Sequence, residues 1–260
     1  MKNIRLNKPG LVATLATSIF LVVASATPVN ADVYDDAVAA TARPAEDRAR
    51  DAGRRPGDVL KFFGISAGQT VVDISSGGGY YTRMVADIVG ADGKVIAQNN
   101  ARRVNEERMA ELVAMYEPYG NVEVDLTPTA QLAMPDNSVD AVLLFLIVHH
   151  WHFNQEQGEV TPAGSKANYA NILRMLKPGG TFAIVEHLAP EGLTREASAA
   201  LHRIPAATAV SDITDAGFVL SAESDLLADH PEDDITIYWR DNTPSGQTQR
   251  IVHKYTKAAN

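Results

Sequence analysis

The chain has 260 residues, of which 45% are hydrophobic and 21% are charged, and its formal net charge is −9. This composition is typical of a globular protein, and the acidic balance disfavours sequence-independent nucleic-acid binding and attachment to anionic membranes. The absence of cysteine excludes disulfides and thiolate metal sites.

The N-terminal 31 residues have the pattern of a secretory signal peptide. Lys2, Arg5 and Lys8 form a basic start. Residues 11–26 are apolar or small, and residues 29–31 fit a small-residue cleavage site. The apolar run is short for a bilayer span, which needs about 20 residues. We therefore expect export to the periplasm or the medium, with no stable membrane insertion after cleavage. An uncleaved N-terminal anchor is the alternative.

Residues 32–57 are charged and alanine-rich, and they predict an N-terminal helical segment that is solvated and ends near Gly53 and Pro56. Residues 58–260 then form the main domain, which begins with a short apolar helix at residues 59–65.

Predicted strands and helices alternate along the main domain. Apolar, β-branched runs favour strands, and amphipathic runs favour the helices between them. The predicted strands are 70–74, 94–98, 122–126, 140–148, 181–186, 218–224 and 250–256, and the predicted helices are 80–89, 102–116, 169–176 and 205–216. This alternation predicts an α/β fold with a mostly parallel sheet.

A glycine-rich turn follows the strand predicted at residues 70–74. Its sequence is Ser75-Ser76-Gly77-Gly78-Gly79, and a helix starts directly after it. Glycine lets a backbone pass close to a ligand, and a helix start offers unpaired N–H groups. Open α/β sheets hold nucleotide-like ligands at this end of the first strand, so the turn predicts such a site.

Four further segments accompany this turn in the same order as in a known family. They are residues 93–99, 134–140, 173–180 and 215–218. Together with the turn, they resemble the class I S-adenosylmethionine-dependent methyltransferases. Residues 50–56, 62–65, 77–82 and 202–204 look like a narrower bacterial group of exported methyltransferases.

The resemblance implies a Rossmann-like, doubly wound sheet with a C-terminal antiparallel strand. It also implies a methyltransferase with S-adenosylmethionine as cofactor. Our hypothesis is a small-molecule acceptor, and the acidic charge predicts no nucleic-acid partner. The residues implied to bind the cofactor are Asp73, Ser75, Gly77, Gly78, Gly79, Asn99 and Phe145.

Three positions depart from the family pattern. Ser75 replaces the usual first glycine of the turn, and Asn99 replaces the acid that contacts the ribose hydroxyls in most members. No acid lies at Pro128 or Thr129, where one should contact adenine, and the nearest is Asp125. These departures predict weakened cofactor binding. For Phe145, core packing is the alternative to a cofactor contact.

Histidines follow the fourth and fifth strands. His149 and His150, with His187 after Glu186, are the candidate catalytic residues, because imidazole can accept a proton from a nucleophile. Local packing is the alternative. Metal binding is a further alternative, but adjacent histidines on a strand point in opposite directions, so we assign no metal site. His202 and Arg203 could contact an anionic substrate or form a surface ion pair.

Two other functions compete with methyl transfer. The departures from the family pattern favour a non-catalytic exported binding protein that retains the fold. A dinucleotide-dependent oxidoreductase shares the first strand and turn. The oxidoreductase alternative does not account for residues 176–180. It would also need an acidic residue at position 99 to bind the ribose of the dinucleotide, and that position holds Asn99.

Overall fold

The computed structural model describes residues 32–154, 158–160, 162–228 and 248–258. The signal-peptide pattern of residues 1–31 lies outside these residues. Within the described ranges, no helix combines the length and the apolar character needed to cross a bilayer.

A seven-stranded sheet organises the described chain. Its strands are β1 (Thr70–Ile74), β2 (Lys94–Gln98), β3 (Val122–Asp125), β4 (Val139–Phe145), β7 (Leu176–His187), β8 (Phe218–Ser224) and β9 (Arg250–Lys257), and a separate ribbon pairs β5 (Phe153–Asn154) with β6 (Glu159–Val160). The order across the sheet is β3-β2-β1-β4-β7-β9-β8. The first five strands in this order are parallel, and β9 is antiparallel to both β7 and β8. The predicted Rossmann-like, mostly parallel sheet is confirmed.

Helices cover both faces of this sheet. They are α1 (Val33–Ala39), α2 (Ala45–Arg48), α3 (Asp51–Arg54), α4 (Pro56–Phe63), α5 (Tyr80–Val89), α6 (Glu106–Tyr116), α7 (Ala163–Met175), α8 (Arg195–Ala200) and α9 (Ala206–Asp215). Successive strand residues face opposite sides of a sheet. Val71 therefore packs in the core beneath α4 and α5, and Val72 packs in the core beneath α7 and α9.

Strand β4 ends earlier than the sequence predicts. Its last residue is Phe145, and the next residue, Leu146, has a left-handed φ of 61°. A non-glycine residue in this conformation breaks the extended backbone. Residues 148–150 consequently form a 3₁₀ turn instead of the end of a strand.

The N-terminal segment is not a solvated helix. Arg43 and Asp47 are only 1% and 3% exposed. Arg43 pairs with Asp51 at 2.6 Å, and Asp47 pairs with Arg83 in α5. Arg83 also donates to the backbone oxygen of Gly78 at 3.0 Å. The buried Asp47–Arg83 pair therefore links this segment, through Arg83, to the glycine-rich turn.

Removing the charge of Asp47 tests this linkage. Asp47→Asn leaves the buried guanidinium of Arg83 without its carboxylate, so we expect the free energy of unfolding to fall by about 3 kcal/mol in urea titrations. The matched control is Asp36→Asn, at an exposed position of α1. Equal stability of the two variants would contradict a stabilising role for the buried pair.

Candidate functional site

The glycine-rich turn is held in place by the end of β2. The side-chain oxygen of Gln98 accepts from the Ser75 N–H at 3.1 Å, and its backbone oxygen accepts from the Ser76 N–H at 2.9 Å. Asn99 Oδ1 accepts from the Gly77 N–H at 3.0 Å, while Nδ2 donates to Ser76 Oγ at 2.7 Å. Asn99 thus uses its amide to position the turn, and Gln98, which the sequence analysis did not select, shares that role.

Three residues of the turn have a backbone conformation that favours glycine, and the space around the glycines differs. Ser75, Gly77 and Gly79 all have positive φ, at 56°, 59° and 74°. A Cβ on Gly79 would lie 2.5 Å from the hydroxyl oxygen of Tyr116, whereas a Cβ on Gly78 would meet no atom within 4 Å. Gly79 is therefore required for packing at the start of α5, and Ser75 adopts a conformation that favours glycine.

Asp73 lies beneath the turn and is 5% exposed. Its carboxylate accepts a hydrogen bond from the Thr82 hydroxyl at 2.6 Å. Burial raises the pKa of Asp73 to about 7, although the Thr82 hydrogen bond opposes this shift. This hydrogen bond ties Asp73 of β1 to α5, the helix that begins directly after the turn.

A groove of about 410 Å³ opens above the turn, at the carboxyl ends of β1 and β2. Three of the predicted cofactor-binding residues, Ser75, Gly77 and Asn99, line it. Its other walls include Asn100, Arg103, Val104, Arg108, Ile147, His150 and Trp151. Three others, Asp73, Gly78 and Gly79, do not line the groove: Asp73 lies in β1, and both glycines belong to the turn itself.

Phe145 does not line the groove. Its ring centroid lies 4.7 Å from that of Tyr81 and 5.6 Å from that of Phe63. The side chain belongs to the core between β4 and α5, as the core-packing alternative predicts. Because β4 ends at this residue, Phe145 marks where the core gives way to the site.

A second cavity, of about 580 Å³, adjoins the groove. Pro128, Ala130, Phe153, Asn154 and Asn168 contribute to its walls, together with His149, His150 and His202. His150 lines both the groove and this cavity.

The histidines converge because of the 3₁₀ turn after β4. The ring centroids of His149 and His150 are 4.1 Å apart, and Nε2 of His149 lies 3.3 Å from Nδ1 of His202. The opposed directions predicted for adjacent histidines apply to a strand and do not hold here. Partial burial, with His149 and His202 nearby, lowers the pKa of His150 to about 4, so its imidazole is neutral at neutral pH.

A buried carboxylate orients this cluster. Glu186 is 0% exposed, and it accepts hydrogen bonds from the backbone N–H groups of His149 and His187 at 3.1 and 2.7 Å. Its Oε1 lies 2.9 Å from Nδ1 of His149. Burial alone would raise the pKa of Glu186, but His149 and the His187 N–H outweigh it and hold the pKa below its usual value.

His187 and Arg203 lie outside both cavities. His187 is 0% exposed, and its Nδ1 is 2.7 Å from Thr248 Oγ1. Arg203 is also 0% exposed and donates to the backbone oxygen of Leu188 at 3.0 Å. Arg203 therefore supports the interior, and of the predicted pair with His202 only the histidine reaches a cavity wall.

Residues 72–184 match the family model described as a methyltransferase domain. A curated relative, the ubiquinone/menaquinone biosynthesis C-methyltransferase UbiE of Pseudomonas savastanoi pv. phaseolicola (strain 1448A / Race 6), is 28% identical over 135 residues. The aligned region is 51% of this chain and 47% of that protein, so the chain spans about half the length of the curated relatives it matches.

Solved structures share the fold at lower sequence identity. An S-adenosylmethionine-dependent methyltransferase from Aquifex aeolicus aligns with a TM-score of 0.53 at 23% identity, covering 77% of this chain and 88% of that one. The cyclase SpnF aligns with a TM-score of 0.57 at 18% identity, covering 80% and 82%. Since one fold carries different chemistries, the reaction must be argued from the site.

The need for glycine at position 79 gives a direct test of the turn. Gly79→Ala combines a strained positive φ with a clash against Tyr116, so we expect it to lower the free energy of unfolding by about 2 kcal/mol or more. Gly78→Ala is the matched control because it adds the same methyl group in open space. Similar urea midpoints for the two variants would show that the turn is not packed as described.

Proposed function

We propose that this chain, which carries a class I S-adenosylmethionine-dependent methyltransferase domain, transfers a methyl group from S-adenosylmethionine to a small-molecule acceptor. The observation that carries the proposal is the pair of adjoining cavities at the carboxyl edge of the sheet, with His150 in the wall of both. Methyl transfer needs a donor and an acceptor held side by side, and two cavities with a common wall meet that need.

The groove suits the cofactor in size and chemistry. Its volume of about 410 Å³ lies within the range usual for small-ligand pockets. Ile147 and Trp151 offer apolar surface for a purine, and the guanidinium of Arg103 can pair with the carboxylate of the methionine part. When bound, the cofactor supplies an electrophilic methyl group on a positively charged sulfur.

The second cavity is the proposed acceptor site. Its volume of about 580 Å³ and its mixture of apolar and amide side chains suit a small organic molecule. The chain's net charge of −9 also favours a small molecule over a nucleic acid.

Among the three candidate catalytic residues, His150 is the one that we place against the acceptor. It lines both cavities, whereas His149 is 2% exposed and held by Glu186, and His187 is buried outside them. A neutral imidazole at this position can accept the proton of an O–H or N–H nucleophile. His149 then positions His150 through direct ring contact.

Calorimetric titration of the full chain tests the cofactor site. We expect S-adenosylmethionine and its demethylated product to bind at one site per chain. Arg103→Glu should weaken binding of both roughly tenfold, because it replaces a charged partner of the carboxylate. Arg102→Glu is the matched control, since Arg102 is an exposed neighbour in the same 3₁₀ turn and does not line the groove.

The same titration defines failure of the proposed function. If neither molecule binds at millimolar concentration, the methyltransferase proposal is wrong. If both arginine variants bind as the unchanged chain does, the assigned carboxylate contact is wrong. Formation of the demethylated product with phenols, catechols or amines then identifies the class of acceptor.

We also propose that the mature chain acts in the periplasm or outside the cell. The basic start, the apolar run and the small-residue site within residues 1–31 support this location. In a bacterial host, we expect the protein to be recovered from the periplasmic or extracellular fraction with Asp32 as its first residue, as N-terminal sequencing would reveal. Recovery of the uncleaved chain from the cytoplasm would contradict export.

A further inference from the structure

We propose that His149, His150 and His202 together bind a divalent transition-metal ion of the Zn²⁺ or Co²⁺ type. One nitrogen from each ring can be chosen so that all three lie within 4.8 Å of one another. Imidazole is a preferred ligand of these ions. The proposal concerns metal binding itself and does not depend on methyl transfer.

The spacing of two of the rings already matches a metal site. Zinc binds histidine nitrogens at about 2.0–2.1 Å in tetrahedral geometry, which places two such nitrogens about 3.3–3.4 Å apart. Nε2 of His149 and Nδ1 of His202 are 3.3 Å apart. The His150 ring centroid lies 4.1 Å from that of His149 and 5.1 Å from that of His202, within reach of the same point by side-chain rotation.

Glu186 supplies the support that metal-binding histidines usually have. Such histidines direct their other ring nitrogen to a carboxylate or a carbonyl, which fixes the orientation of the ring. Here, Oε1 of Glu186 lies 2.9 Å from Nδ1 of His149, which leaves Nε2 of His149 facing His202. Glu186 is fully buried and accepts from two backbone N–H groups, so its carboxylate is fixed beside the ring of His149.

The backbone at His202 adds an independent observation. His202 has a φ of 54°, in the left-handed region that non-glycine residues seldom adopt. Strain of this kind tends to persist at sites where a function holds it. It places His202 beside the 3₁₀ turn that carries His149 and His150, so ligands from two distant parts of the chain meet at one point.

A metal ion at this point would face the acceptor cavity, which all three histidines line. Three neutral imidazoles leave at least one coordination position open, as in catalytic zinc sites. An acceptor hydroxyl bound at that open position would have a lowered pKa and would release its proton to solvent.

Cobalt titration of the full chain, untagged and first stripped with a chelator, tests the proposal. Calorimetry should give one Co²⁺ per chain, with visible ligand-field absorption that Zn²⁺ abolishes by displacement. His150→Ala and His202→Asn should each weaken binding at least about tenfold, and Glu186→Gln should weaken it about 10- to 100-fold. Asn is chosen at position 202 because it tolerates positive φ.

The matched control is His253→Gln, which removes a buried histidine of β9 whose Nε2 is 3.2 Å from Glu223. It should bind Co²⁺ as the unchanged chain does, and circular dichroism would verify that each variant is folded. Absence of binding at millimolar Co²⁺ would overturn the proposal. Unchanged Co²⁺ affinity in both folded His150→Ala and His202→Asn would also overturn it and would identify a hydrogen-bonded imidazole pair only. An equal loss of Co²⁺ affinity in the control variant would overturn it as well. Metal binding without cofactor binding would overturn the proposed function alone.

Discussion

A carboxylate without access to water must have its hydrogen-bonding capacity filled by the protein, since an unpaired buried charge is strongly destabilising. Glu186 meets this requirement at the end of β7. Its oxygens accept hydrogen bonds from the backbone N–H groups of His149 and His187, and Oε1 lies 2.9 Å from Nδ1 of the His149 ring. The same contacts that stabilise the charge tie the end of β7 to the turn after β4. The position of the histidine cluster thus follows from the burial of one side chain.

The opposite wall of the site is held by a separate set of contacts. Gln98 and Asn99 fix the glycine-rich turn from β2, and Arg83 fixes it from α5 through the oxygen of Gly78. Arg83 is in turn paired with Asp47 of the N-terminal segment. Since each of these side chains is buried and paired, the groove is formed before any ligand arrives, and little ordering entropy remains to be lost on binding.

The sequence predicts the sheet well because its signal is local. An apolar, β-branched run such as residues 70–74 can be recognised from its own residues and their immediate neighbours. The cluster could not be predicted in the same way. The left-handed conformation of Leu146 turns His149 and His150 to one side. No glycine or proline, the residues that usually predict the end of a strand, lies near Leu146 in the sequence.

Contacts between distant residues were also invisible in the sequence. The Asp47–Arg83 pair joins a segment that reads as a solvated helix to the first helix after β1. Asn99 shows a subtler limit: its place at the end of β2 was predicted, but its amide is used to hold the turn. Pattern alone located the residue, and only the hydrogen bonds define what the residue does.

His150 lies in the wall of two cavities, so any ligand that changes the orientation of its imidazole acts on both of them. A molecule in one cavity that reorients this imidazole reshapes the other, and the resulting coupling free energy must be the same in both directions. Each ligand changes the affinity of the other by the same factor. A side chain that separates two ligands can therefore also make their binding cooperative.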